Sequence, residues 1–290
     1  LYTGTGYPGG IFNKGFALSW LTERVDDAKP APEGGQPWAK ELVKRGDKNC
    51  IKNQRLRLQT VDVLKLLGAN PYRAPKLHDD RSPSNSMSRI TVPTFIVGAF
   101  QDEQTGGGFS SYFDRFENND RVWLSMINGA HIDSLGPSTV TRWFEFIKLY
   151  VADEIPVLPD TITSLSGALY QQVSGAGSIP IAQSRFADMK STAEARAIFE
   201  TDPRVRLLMD NGASDQGPGT LGATWEITAE QWPIRDVKPT SYYLGAGGAL
   251  SESKPGAGTA SYKSDPKARN SKTLGNGEAN VGRDAAWVAQ

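Results

Sequence analysis

Two residues in this 290-residue chain stand where they could share acid–base chemistry, Asp102 and His131. Each follows a short apolar run. Residues 94–100 read TFIVGAF and run into a polar loop, QDEQTGGG, while residues 122–127 read VWLSMI and run into NGAHID. Continuous apolar runs of this length, bounded by loop residues, predict strands buried on both faces, as in a parallel sheet. In doubly wound α/β folds, ligands bind outside the carboxyl ends of such strands. The two loops therefore deliver a carboxylate and an imidazole to one end of one sheet. They are 131 − 102 = 29 residues apart, which leaves room for one helix and one strand. An imidazole can take the proton of a serine hydroxyl, and a carboxylate can hold that ring in one tautomer and stabilise the imidazolium that forms. Acid before His is the later part of the α/β-hydrolase order, in which Ser comes first. Glu103 is the alternative acid. Successive residues of an extended segment point apart, and the spacing favours Asp102. Taken singly, each residue has a plainer reading: a solvated loop histidine, and an aspartate capping a helix. The pairing on successive strand ends carries the chemical reading.

A nucleophile elbow, Gly-x-Ser-x-Gly, occurs nowhere in the sequence, and the glycines at 167 and 175 have the wrong spacing to nearby serines and follow His131. The chain begins at Leu1 without an initiator Met, and the elbow is expected upstream of it. Cys50, the one cysteine, lies between polar helical residues and reads as a structural or exposed thiol. His78, in LHDDRSP, reads as a surface or structural residue, and Asp79 and Asp80 beside it give no known metal-ligand spacing. Gly106 to Gly108 lack the Lys-Ser/Thr of a phosphate loop. No metal or cofactor is expected.

The elements that would hold this pair follow from periodicity. Phe12, Phe16 and Trp20 recur every four residues and predict an aromatic helix face over 11–24. Helices are also expected over 38–48 and 53–67, the second with Leu56, Val63 and Leu67 on one face and Gly68 as its stop. A short helix over 109–116 would link the two strands. A helix over 140–151, with Val140, Trp143, Phe144, Ile147 and Val151 facing inward, would follow the His131 loop. After a mixed stretch with one helix at 192–200, short strands are expected at 205–209, 224–227, 241–244 and 260–262, a texture that suggests a sandwich or jelly roll.

Composition bounds the partners. Lys plus Arg equal Asp plus Glu at 32 each, so there is no basic excess to hold nucleic acid. Mean hydropathy is −0.43, and no apolar run approaches the ~18 residues a membrane span needs. Seven Trp, nine Tyr and 11 Phe give the chain enough to build a core and argue against disorder. The expected partner is a small-molecule ester or amide, or a short peptide, with no nucleic acid and no membrane. Localisation and oligomeric state are open.

Four stretches resemble the CocE/NonD hydrolases, the X-Pro dipeptidyl-peptidase-like and cocaine-esterase-like acyl esterases. LYTGTGYPGG with the aromatic helix after it resembles the start of that family's helical cap. VPTFIVGAFQD, residues 92–102, resembles the strand and turn carrying its triad Asp. Gly129-Ala130-His131 stands where the family has a Gly-Pro-Trp-x-His type segment. Tyr242-Tyr243-Leu244 through Gly247 to Ser251, then Ser261-Tyr262 and Asp265-Pro266, resembles the start of its jelly roll. The resemblance implies a helical cap at 1–87, the C-terminal part of an α/β-hydrolase domain at 88–155, a connecting segment with a helix at 156–203, and a partial jelly-roll β-sandwich at 204–290. It also implies a serine hydrolase acting through an acyl-enzyme, with Asp102 and His131 catalytic and the serine and oxyanion-hole groups upstream. The sequence departs from the pattern at Asn128-Gly129-Ala130 and in the length of 157–202. The competing class is a non-catalytic binding module, with Trp225 and Trp232 as its surface aromatics.

Overall fold

The structure is a computed structural model. It describes residues 2–14, 16–57, 62–102, 104–174, 177–209, 223, 225–259, 261 and 263. Among the described residues, five α-helices precede the sheet, α1 (Phe16–Asp27), α2 (Pro37–Lys44), α3 (Lys48–Gln54), α4 (Val63–Ala69) and the single turn α5 (Pro75–His78). Their boundaries follow local chemistry. Gly46, at φ 81°, ends the α2 turn in a conformation that glycine alone adopts cheaply. Asp47 then opens α3 by accepting the Cys50 N–H, and Asp62 opens α4 by accepting the Lys65 N–H. The single helix expected over 53–67 is therefore two, because Asp62 starts a new one; Leu56 lies outside both and is exposed. Phe12 likewise precedes α1, whose Phe16 N–H is taken by the Asn13 side chain. The aromatic cluster forms all the same. Tyr7, Leu21 and Leu67 are its buried centre, with Tyr2, Phe12, Trp20, Val63 and Leu64 packed around them.

The sheet has four strands in the order β1 (Thr94–Ala99), β2 (Val122–Ile127), β3 (Val205–Met209) and β4 (Trp225–Ala229). The first three are parallel, with Thr94 opposite Val122 and Leu124 opposite Val205, and β4 runs antiparallel on β3. Every residue of β2 is buried, as a central strand covered on both faces requires. Trp123 points into a layer with Phe146, Leu149, Phe186 and Phe199, while Leu124 and Met126 point into the other with Val205, Leu207, Phe109 and Phe113. Phe109 and Phe113 belong to a short helical segment, Gly107–Arg115, that crosses from β1 to β2. The return from β2 to β3 carries α6 (Pro137–Ile147), α7 (Asp160–Ser174) and α8 (Thr192–Glu200). Layers on both faces of a parallel sheet make this an α/β fold.

β3 and β4 change the expected division. The sequence groups 204–290 as one β-rich unit, yet these two strands extend the β1–β2 sheet. The 156–203 stretch is then part of the crossover from β2 to β3. Short strands look alike whichever sheet they join, so periodicity cannot assign them. Beyond Ala229 the described residues include one small hairpin, β5 (Tyr243–Leu244) with β6 (Leu250–Ser251). The strand expected at 260–262 lies outside the described residues except for Ser261. Among the described residues, no helix is long and apolar enough to cross a membrane.

Candidate active site

Parallel pairing brings the two loops together. Beyond the strand ends the ladder continues, with Phe100 N–H donating to Ile127 O at 2.9 Å and Gln101 N–H to Gly129 O at 3.1 Å. The Gln101 side-chain amide also donates to Asn128 Oδ1 at 2.8 Å. Asp102 and His131 leave this joined edge side by side. Asp102 Oδ2 lies 2.7 Å from His131 Nδ1. Asp102 Oδ1 accepts the backbone N–H groups of Gln104 and Thr105, both at 2.8 Å, so its carboxylate is clamped by its own loop. Gly106, at φ 71°, turns that loop back. Two close approaches anchor it further. The ring of Phe109 lies 2.5 Å from where a Cβ on Gly98 would stand, and Phe100 O lies 2.9 Å from that point on Gly107.

The environments of the pair differ. The Asp102 side chain is 8% exposed and that of His131 is 47% exposed. Burial pushes the Asp102 carboxyl up. Hydrogen bonds from the Thr105 N–H, His131 and the Gln104 N–H outweigh it, leaving the group below its ordinary value. Asp102 is therefore ionised at neutral pH and can only accept. Nδ1 is then the donor in this contact, which leaves the lone pair of an uncharged ring on Nε2. An imidazole so fixed can take a proton at Nε2 and give it back.

Behind His131 the chain turns through residues 131–135 into α6. Asp133, two residues on, is fully buried. Its Oδ2 accepts the Ala130 N–H at 2.7 Å, and its Oδ1 lies 3.4 Å from the hydroxyl of Tyr170 on α7. Sequence reasoning passed over Asp133. Nothing in its local sequence marks it out.

The other candidates do not join this site. Glu103, the alternative acid, lies outside the described residues. His78 bonds through Nδ1 to Ala74 backbone and meets the Tyr2 ring edge-on at 4.9 Å, within the helical part. Cys50 lies in α3, its thiol facing Ala39 O at 3.9 Å and the Gln54 amide at 3.5 Å. Among the described residues, no three His, Cys, Asp or Glu side chains gather as a metal site would require. Trp232 packs against the Leu124–Leu207 side of the core, whereas Trp225 on β4 is exposed. The helical part does reach the acid loop: Thr105 O lies 3.2 Å from where a Cβ on Gly4 would stand.

No protein-family model and no curated protein matches the chain. Two crystal structures of a CocE/NonD family hydrolase from Staphylococcus aureus do. Each covers 87% of this chain, at 15% identity and TM-score 0.47 for one and 14% and 0.48 for the other. The chain spans 32% of the length of those CocE/NonD chains.

Proposed function

We propose that this chain carries the acid–base half of a serine hydrolase. His131 is the general base and then the general acid, Asp102 is its orienting partner, and the nucleophilic serine comes from polypeptide outside this sequence. The observation that carries the reading is the 2.7 Å contact of His131 Nδ1 with an Asp102 carboxylate whose other oxygen is already held by two backbone N–H groups. A hydroxyl presented to Nε2 loses its proton to the ring as its oxygen bonds to the substrate acyl carbon. The imidazolium then protonates the leaving alcohol or amine as the acyl–leaving-group bond breaks. Water repeats the sequence on the acyl-enzyme and restores the serine. An ester or amide substrate, acyl or X-Pro peptide, fits this chemistry. The residues 1–87 would roof the pocket, in keeping with the approach of Gly4 to the acid loop. Residues beyond Ala229 would begin the jelly roll that the Tyr242–Ser251 stretch resembles.

The test uses p-nitrophenyl acetate. The chain as given should show no turnover above background. Expressed together with its contiguous upstream coding sequence, it should hydrolyse the ester, and His131→Ala should remove that activity. Turnover by the chain alone that is lost in His131→Ala would overturn the outside serine, and turnover of the longer polypeptide that survives His131→Ala would overturn the reading itself.

A further inference from the structure

We infer that Asp133 is a positioning residue for His131. The inference rests on the proposed role of His131. Asp133 is fully buried, and a carboxylate in that position is tolerable only where hydrogen bonds satisfy it. The N–H of Ala130 donates to Oδ2 at 2.7 Å. That N–H belongs to the Gly129–Ala130 peptide, and the C=O of Ala130, in the peptide just before His131, accepts the Asp133 N–H, so both peptides leading to the imidazole are held by this one residue. The bond is reciprocal: the Asp133 N–H donates to Ala130 O at 3.0 Å, and Asp133 O accepts the Gly136 N–H at 2.8 Å where α6 begins. The result is a closed turn around residues 130–133 with His131 on its outer side.

Gly129 makes room for this carboxylate. A Cβ at 129 would stand 2.6 Å from Asp133 Oδ2 and 2.7 Å from its Cβ, closer than two such atoms can sit. A side chain there would push the carboxylate off the Ala130 N–H. On the far side, the Tyr170 hydroxyl of α7 approaches Oδ1 at 3.4 Å, a long contact that still places a helix of the 128–204 crossover against the His131 turn. Asp102 thus sets the ring of His131 from one side through Nδ1, and Asp133 sets its backbone from the other.

The test is spectroscopic and needs no turnover. With two histidines in the chain, long-range 1H–15N spectra resolve the tautomer of each, and His131→Ala assigns the signals. In the wild-type chain His131 should show the Nδ1–H tautomer. In Asp133→Ala, and independently in Gly129→Ala, His131 should move to a mixture of tautomers while the His78 signal and the circular dichroism stay as in wild type. Asp133→Asn, which retains an acceptor for the Ala130 N–H, should keep the wild-type spectrum. A wild-type His131 tautomer in a folded Asp133→Ala or Gly129→Ala chain would overturn the inference and leave the proposed catalytic pair intact, as would an Asn variant that fails to rescue. Absence of the Nδ1–H tautomer in the wild type would overturn both.

Discussion

At the scale of residues, the site depends on glycines as much as on the ionisable pair. Gly98 in β1 lies under the Phe109 ring, and Gly129 lies under the Asp133 carboxylate; neither has a positive φ, so the requirement in both is space. Gly98→Ala should force Phe109 or β1 to shift and cost about 1–3 kcal/mol, the range for overpacking a filled core. Gly108→Ala, where nothing lies within 4 Å of the added Cβ, should be near neutral. Thermal unfolding of the two variants side by side checks this. The pair Asp102 and His131 was legible because both residues follow apolar strands, and parallel strands deliver their carboxyl ends to one place. Asp133 was not, because an aspartate two residues after a loop histidine looks like any solvated loop carboxylate until its burial is known.

At the scale of elements, strand signals carried furthest and helix faces least. β2 and β3 match the expected 122–127 and 205–209, and α8 matches 192–200. α8 opens on a Ser191 cap, whose hydroxyl accepts the Glu194 N–H at 3.2 Å. The face of α6 differs from the expected one. Apolar periodicity chose Val140, Trp143, Phe144, Ile147 and Val151, but Trp143 and Val151 are exposed, whereas Arg142, Glu145 and Phe146 are buried. Charged residues can face inward here because Arg142 and Glu145 find partners on other segments. α7 escaped notice for a related reason. It turns Thr163 and Ser166 inward and leaves Ile162, Leu165 and Leu169 exposed, the reverse of the usual pattern. Where a helix start is set by one side chain, the effect of removing it can be stated. Asp62→Ala should cost about 1 kcal/mol, the usual value of an N-cap, with α4 the first element to fray. Amide hydrogen exchange should locate the loss in α4 and the adjoining Tyr7–Leu21–Leu67 cluster.

At the scale of the whole molecule, the crossover from β2 to β3 is closed by four charges. Arg142 and Arg185 both bind Asp202, the latter at 2.6 Å, and Arg185 also binds Glu145 at 2.8 Å. The guanidiniums lie over aromatic rings as well, Arg142 on Phe199 and Arg185 on Phe186, each at 4.6 Å. Burial pushes the Asp202 carboxyl up, but Arg185 and Arg142 outweigh it and hold the group below its ordinary 3.8. Asp102 stands below 3.8 for its own reasons. Both groups bind a proton more weakly folded than unfolded. Their contribution to stability is therefore complete above about pH 4 and is lost as pH falls through the folded values. Stability should fall across that acid range, and Asp202→Asn should flatten the fall while costing about 3 kcal/mol at neutral pH, the low end for a broken buried pair because Arg185 is partly exposed. Urea titrations from pH 3 to 7 compare the two chains. The sheet order was the part of the molecule that sequence reading missed, since nothing in the residues 205–209 or 225–229 says which strand they pair with.

The account turns on one contact, and the His131 tautomer reads it most directly. In long-range 1H–15N spectra at neutral pH, wild-type His131 should carry its proton on Nδ1, donated to the Asp102 carboxylate. In Asp102→Asn the new amide group can donate to Nδ1 instead, so the proton should move to Nε2 and leave that nitrogen unable to act as a base. A wild-type ring protonated on Nε2, or a tautomer that Asp102→Asn leaves unchanged, would contradict it.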